Sequence, residues 1–243
     1  IIRKERYCYL LGVHGPDLLF FYRALGKNRV NQKGVRMHME PAARLFETGR
    51  EEIRKAADRK ERDALTAFLL GISCHYALDR SLHGYINRQE KRTGITHAEI
   101  ETELERRLLM RENMRPLHSN LTCHLRNTKQ TRMAASRIFH EDMGIISECI
   151  TSYRTMNRLF INSKEPTKKL VCMILKLTGN YGTIHGMLMR REPHHDDTAM
   201  TDYLEQKFFE TVPYGAKLAD GLYRYLAGTG PLPEEFNGNF NGD

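Results

Sequence analysis

The chain has 243 residues, a formal net charge of +8 and a pI of about 9.3. A chain of this length can bury a hydrophobic core without disulfides, and no segment has the 18 or so consecutive apolar residues of a membrane-spanning helix. The basic charge favours a phosphate-bearing or other anionic partner without choosing one. The five cysteines form no CxxC pair, so we interpret them as reduced thiols of a cytoplasmic protein. The first residue is Ile rather than Met, which leaves an upstream segment open.

Helical periodicity dominates the chain, and alternating strand patterns are scarce. This pattern predicts an all-α fold of eight or nine helices in one domain spanning residues 1–243. The helical spans in chain order are 17–25, 41–59, 61–90, 97–113, 131–143, 145–161, 167–182 and 199–228. Residues 229–243 are rich in Gly, Pro and Asn, so they are predicted to form an irregular tail over the surface.

The third predicted helix carries three polar side chains in one row. His75, Asp79 and His83 follow the apolar run AFLLGIS at intervals of four residues. Positions i, i+4 and i+8 of an α-helix fall within a sector of roughly 80° and span about 12 Å of its axis. Neighbours in the row could hold one metal ion, and the third residue could belong to a second ion. For a single His–Asp pair, a hydrogen bond on the surface is the ordinary alternative. The apolar run before this row indicates burial, however, and a buried charge needs a partner.

The next predicted helix begins with a second pair at the same interval, His97 and Glu101. Imidazole and carboxylate are the ligands that zinc takes in sites that keep a position open for water. A first-turn helix feature, with the carboxylate near the positive end of the helix dipole, is the alternative. Two such pairs on successive helices could face each other in a bundle.

Two further fragments contain metal-capable residues near predicted helix starts. Asp17 follows Gly15-Pro16, and His38 precedes the helix that begins at residue 41. Taken alone, the aspartate is an N-cap and the histidine is an ordinary, partly buried side chain.

The remaining histidines are less informative. His194 and His195 stand beside Asp196 and Asp197, where a solvated loop is the favoured interpretation and a metal site the alternative. Four more histidines show no metal-ligand spacing among themselves and are interpreted as surface or packing residues. They are His118, His124, His140 and His185.

The order GPD, a lone His, HxxxDxxxH and then HxxxE resembles the zinc-dependent phospholipase C family, most closely its small bacterial branch. The fungal single-strand-specific nucleases are more distant relatives. The resemblance implies an all-α fold and two zinc ions. It implies a first zinc held by Asp17, His38, His75 and Asp79. It implies a second zinc held by His83, His97 and Glu101. Asp79 would also bridge to a third zinc.

The sequence departs from the family pattern at two points. The third zinc of these phospholipases needs an early His and the amino-terminal residue, but no His precedes His14, which lies too close to Asp17 to match. The interval from Asp79 to His83 is also shorter than in the secreted phospholipases, although it keeps both residues on one helix face. These departures put the third zinc site in doubt.

The resemblance implies zinc-dependent hydrolysis of a phosphodiester, with phospholipid as the expected substrate and peripheral membrane contact left open. Asp17 is the candidate to accept a proton from the attacking water. A zinc-dependent nuclease of the same fold is the first alternative, because the basic charge suits nucleic acid. A non-catalytic helical protein with a structural metal site is the second.

Overall fold

The computed structural model describes residues 1–162, 165–177 and 181–242. These residues contain ten α-helices and no β-strand, which confirms the all-α prediction. The helices are α1 Arg6–Gly12, α2 Arg29–Met39, α3 Ala42–Arg54, α4 Arg59–Thr93, α5 His97–Arg111, α6 Lys129–Phe139, α7 Met143–Asn162, α8 Glu165–Leu177, α9 Tyr181–Ile184 and α10 Thr198–Ala227. Short 3₁₀ helices cover Gly15–Phe21, Pro116–His118, His185–Met187 and Glu234–Asn237.

The amino-terminal region departs from the predicted helix positions. Helices α1 and α2 were not predicted, and the predicted helix over residues 17–25 is a 3₁₀ helix ending at Phe21. Helix α2 is polar and has a glycine at its middle, which conceals its apolar face. Its start is nevertheless marked by Asn28, whose side chain accepts hydrogen bonds from Val30 and Asn31 in a capping box. The predicted span 167–182 corresponds to α8, and its residues 178–180 lie outside the described residues.

The contacts group the chain into two compact units, the first made of residues 1–83, 124–153 and 210–243 and the second of residues 84–123 and 154–209. The single domain predicted from the sequence stays a prediction. The first unit has a core built around the buried half of α4. Its largest fully buried side chains include Phe46, Phe68, Tyr76, Phe139 and Phe236.

Two glycines bring α1 and α4 into backbone contact within the first unit. A Cβ atom at Gly12 would lie 2.1 Å from the carbonyl oxygen of Phe68, and one at Gly71 would lie 2.2 Å from that of Tyr9. Any larger residue at either position would push the helices apart. This contact fixes the chain directly before the GPD segment against α4.

The prediction of a surface tail over residues 229–243 is wrong. Phe236 and Phe240 are fully buried, and residues Glu234–Asn237 form a 3₁₀ helix. The hydroxyl of Tyr76 donates a hydrogen bond to the carbonyl of Glu235, and the amide of Ala42 donates to the carbonyl of Gly238 at 3.0 Å. Two aromatic side chains bury enough apolar surface to hold a polar, glycine-rich segment in the core.

The second unit has smaller apolar clusters of its own. One joins Phe160, Val171, Leu175 and Leu188, and another centres on Met189. Within the part of the chain that the structure describes, no helix is both long and apolar enough to cross a bilayer.

Candidate metal centre

Helix α4 supplies the row His75, Asp79 and His83, whose side chains are 8%, 10% and 13% exposed. Oδ2 of Asp79 lies 3.1 Å from Nε2 of His75, and Oδ1 lies 3.6 Å from Nε2 of His83. The interval of four residues therefore puts one carboxylate between two imidazoles. Because all three side chains are at most 13% exposed, the row is a polar stripe facing the inside of the protein.

Asp17 reaches this stripe because the chain turns at Gly15. This glycine has a φ of +50°, and a Cβ atom at its position would lie 2.2 Å from the ring of His75. Only glycine tolerates both the left-handed backbone and the contact. Oδ2 of Asp17 then lies 3.9 Å from Nε2 of His75. The Asp17 side chain is 40% exposed, so it is the cluster member of the first unit that solvent reaches most easily.

His38 lies in the last turn of α2 and, as the sequence predicted, directly ahead of a further helix, α3. Its Nε2 lies 3.0 Å from Oδ1 of Asp17 and 3.8 Å from Oδ2 of Asp79. Its Nδ1 donates a hydrogen bond of 2.8 Å to the carbonyl of Gly34. This hydrogen bond fixes the tautomer and aims the lone pair of Nε2 at the carboxylates, as in metal-ligating histidines.

The donor set of the first unit fits a zinc ion. The ligand atoms of Asp17, His38 and His75 all lie within 4.8 Å of one another. Among the described residues, Nε2 of His38 and Oδ2 of Asp79 are buried atoms that lack a hydrogen bond of acceptable geometry. Leaving such atoms without a partner is costly, and a divalent cation would satisfy both at once. Imidazole nitrogen and carboxylate oxygen are suitable zinc ligands.

The pKa of His38 depends on the acids and imidazoles that surround it in the cluster. Burial disfavours the charged form of His38, but the carboxylate of Asp17, 3.0 Å from Nε2, outweighs it, so the pKa of His38 is raised. The negative charge of Asp17 thus favours a cation at this position.

His97 and Glu101 belong to the second unit, at the start of α5. Nε2 of His97 lies 3.0 Å from Oε1 of Glu101, and Nδ1 lies 3.1 Å from Oδ1 of Asn87. Thr96 caps the helix, with Glu99 completing a capping box, so the first turn is well defined. The Asn87 oxygen can accept a hydrogen bond from Nδ1 of His97. The lone pair of Nε2 then points toward Glu101, and a metal-ligating histidine has this orientation.

His14 takes part in a second imidazole cluster of the first unit. Its Nε2 lies 2.9 Å from Nε2 of His124, and its Nδ1 lies 3.0 Å from the hydroxyl of Tyr153. Burial, followed by the neighbouring His124 and His75, lowers the pKa of His14 to about 3. Both ring nitrogens of His14 therefore already have protein neighbours, and the third zinc ion stays a prediction.

Phe20, Gly34 and Phe240 lie near the cluster although sequence patterns did not predict it. The Phe20 ring stacks on His38 at a centroid distance of 5.2 Å, and Phe240 contacts both His38 and His75 at 5.2 and 5.8 Å. A Cβ atom at Gly34 would lie 2.8 Å from the Phe20 ring, so the glycine makes room for that stacking. The available signal was two phenylalanines in a polar tail, at positions 236 and 240.

His194 lies in a loop, as predicted, but its side chain is buried rather than solvated. Its side chain is fully buried within the second unit, with Nε2 3.0 Å from the carbonyl of Leu188, and its backbone amide donates to Glu103 at 3.2 Å. Both ring nitrogens of His195 are also buried. The carbonyl of Leu188 allows the His194 ring to be buried although the flanking residues are exposed, whereas the ring nitrogens of His195 have no hydrogen-bond partner among the described residues.

Comparison with known proteins gives one match. A family model described as "Zinc dependent phospholipase C" matches residues 2–154, which is more than half of the chain and includes all seven candidate ligands. No curated protein and no solved structure matches the chain.

Proposed function

Because this chain belongs to the zinc-dependent phospholipase C family, we propose that it hydrolyses a phosphodiester bond and that its substrate is a phospholipid. The observation that carries the proposal is the convergence of Asp17, His38, His75 and Asp79. Two carboxylates and two imidazoles meet there around buried donor atoms. The 40% exposure of the Asp17 side chain suits a catalytic site, which keeps a position open for water.

Two zinc ions are proposed. The first would be held by Asp17, His38, His75 and Asp79. The second would be held by His83, His97 and Glu101, as the family pattern implies. Asp79 lies beside His75 of the first proposed site and beside His83 of the second.

Zinc, when bound, supplies Lewis acidity toward phosphate oxygens and lowers the pKa of water. Asp17 has the exposure to accept a proton from the attacking water as the new bond to phosphorus forms, while the bond from phosphorus to the leaving alkoxide breaks and that alkoxide takes up a proton from solvent. His38 is held in position by Gly34 and by the rings of Phe20 and Phe240, which also keep water away from its other faces. No serine or cysteine nucleophile is required.

Metal analysis of the purified protein, followed by a substrate panel, tests this proposal. We expect bound zinc and turnover of a short-chain phosphatidylcholine and of a nitrophenyl phosphodiester, both lost after chelation and restored by zinc. Cleavage of single-stranded nucleic acid with no phospholipid turnover would assign the nuclease function instead. Zinc without any turnover would leave a structural metal site, and absence of zinc would contradict both enzymatic functions.

A further inference from the structure

Helix α8 exposes an apolar stripe. Four of its side chains are strongly exposed: Leu170 at 50%, Met173 at 53%, Ile174 at 43% and Leu177 at 80%. They follow one another at helical intervals, so steps of 100° per residue place them within a sector of roughly 100°. Contiguous apolar surface of this kind on a water-facing helix marks an interaction site more often than isolated exposed residues do.

The opposite face of α8 anchors the helix in the second unit. Val171 and Leu175 are buried in a cluster with Phe160 and Leu188, and the ammonium group of Lys168 donates to the carbonyl of Met189 at 2.5 Å. The inward face of α8 is therefore already packed against other residues of the second unit. The outward stripe is a separate surface and is not the edge of the core.

A basic groove runs beside the stripe. Its volume is about 620 Å³, and its walls come from α8 and from residues 188–192. The cationic side chains that line it are Lys168, Lys169, Lys176, Arg190 and Arg191, against one acidic residue, Glu192. Met173 belongs to both the stripe and the groove wall. Apolar side chains and cations thus share one side of the second unit.

We propose that this face of α8 docks the protein on the surface of an anionic phospholipid bilayer. The stripe would enter the boundary between headgroups and acyl chains, while Lys169, Lys176, Arg190 and Arg191 would contact lipid phosphates. The inference rests on the proposed function in one respect, since an enzyme that cleaves phospholipid must reach a bilayer.

Charge selects this occupant over a second copy of the chain. Two copies meeting through this face would bring their cationic grooves together, which like-charge repulsion opposes. An anionic bilayer offers both an apolar layer and negative charge, matching the two components of the surface. Neutral bilayers match only the stripe, so binding should depend on anionic lipid.

Co-sedimentation with vesicles tests the proposal, with zinc chelated so that the lipid stays intact. We expect binding to vesicles of phosphatidylcholine mixed with phosphatidylglycerol and weak binding to phosphatidylcholine alone. The pair Met173→Gln with Leu177→Gln, and separately the pair Lys169→Glu with Lys176→Glu, should each lower partitioning by about tenfold or more. Exposed controls on other helices, Val212→Gln and Lys60→Glu, should leave it unchanged.

Turnover of a soluble short-chain diester separates this proposal from the proposed function. Both α8 variants should retain that turnover, and circular dichroism should show the wild-type fold. Vesicle binding that is unaffected in both variants would overturn the docking proposal even if the enzyme is active. Loss of self-association in the apolar variant, with unchanged vesicle binding, would assign the stripe to a contact between copies. Vesicle binding without diester turnover would reject the enzymatic function and leave the docking surface standing.

Discussion

Oδ2 of Asp79 lies 3.1 Å from Nε2 of His75, one helical turn earlier on α4. The same oxygen is 3.8 Å from Nε2 of His38, and the other carboxylate oxygen is 3.6 Å from Nε2 of His83. One carboxylate that is only 10% exposed therefore contacts three imidazoles. Asp17, the other acid of this cluster, lies within 4 Å of two of these imidazoles, those of His38 and His75.

Asp79→Asn should remove most of the bound zinc and lower turnover by at least about 100-fold, because changes even to groups that only support ligands cost 10–100-fold. The amide keeps the shape but lacks the negative charge that offsets repulsion between dications. Zinc content after dialysis and the rate on a nitrophenyl diester measure the effect. Asp63→Asn is the matched control, because Asp63 is a buried acid of α4 whose partner is Lys4, at 2.9 Å.

A result in which Asp63→Asn loses zinc while Asp79→Asn keeps full zinc and full rate would move the metal site away from the cluster. A loss of zinc in both variants with equal loss of thermal stability would make the effect one of folding. Thermal denaturation of both variants in chelator separates these outcomes, since neither variant then differs through bound metal.

Local helical spacing was the part of the candidate site that the sequence could predict. His75, Asp79 and His83 share a face of α4, and His97 and Glu101 share a face of α5, because an interval of four residues has one geometric meaning in a helix. The contact of Asp17 with His75 depends instead on a long-range approach through Gly15. Family resemblance, and not spacing, was what joined those two residues.

Composition misled the prediction for the carboxy-terminal tail. A segment rich in Gly, Pro and Asn is typical of the surface, yet Phe240 is fully buried and contacts His38 and His75. The average polarity of the segment conceals two aromatic side chains whose burial outweighs the cost of ordering it. His194 was misplaced because its hydrogen bond to the carbonyl of Leu188, six residues earlier, leaves no mark in the sequence pattern.

Gly15→Ala should disturb the metal centre more than an ordinary glycine substitution. The new methyl group would meet the His75 ring at 2.2 Å in addition to a strained φ of +50°. Gly94→Ala is the matched control, because Gly94 has a φ of +74° and nothing within 4 Å of its Cβ position. Backbone strain alone costs about 1–3 kcal/mol, so both variants should lose thermal stability. Only Gly15→Ala should also lose zinc affinity, measured by competition with a chromogenic chelator.

Equal zinc affinity in the two glycine variants would contradict the role given to the contact between Gly15 and His75. It would show that the segment before Asp17 moves without displacing the imidazole. A smaller effect in Gly15→Ala than in Gly94→Ala on both measures would contradict the packing geometry itself.

Phe240→Ala and Phe236→Ala should separate stability from metal binding. Both rings are fully buried, so each truncation should cost about 3–5 kcal/mol of unfolding free energy. Phe236 packs on Phe46 at a centroid distance of 4.3 Å, whereas Phe240 packs on His38 at 5.2 Å. Denaturant unfolding and zinc titration should therefore show similar destabilisation, but weaker zinc binding in Phe240→Ala alone. Equal zinc affinity in both variants would contradict the proposal that Phe240 holds the His38 ring in position for zinc.

Glu141 ties α2, the helix that carries His38, to the end of α6. Its side chain is 1% exposed and accepts two hydrogen bonds of 2.8 Å from Arg29 and one of 2.9 Å from Lys33. Burial raises the pKa of this carboxyl, but the hydrogen bonds from Arg29 and then Lys33 outweigh burial, so the pKa is held below 4.5. Its charge is therefore part of what positions α2.

Because the folded pKa of Glu141 is depressed, its stabilisation is present above the unfolded value of 4.5 and disappears as the pH falls through the lower folded pKa. Glu141→Gln should cost roughly 1–3 kcal/mol at neutral pH, since a buried charged hydrogen-bond acceptor is lost. The variant should also lose less stability than the wild type on acidification through that interval. Urea unfolding at a series of pH values, in chelator, measures both effects. Glu40→Gln is the control, because Glu40 is half exposed and its ion pair with Arg44 is 3.7 Å long. Parallel stability curves for wild type and Glu141→Gln below pH 4.5 would contradict a lowered pKa of Glu141 in the folded state.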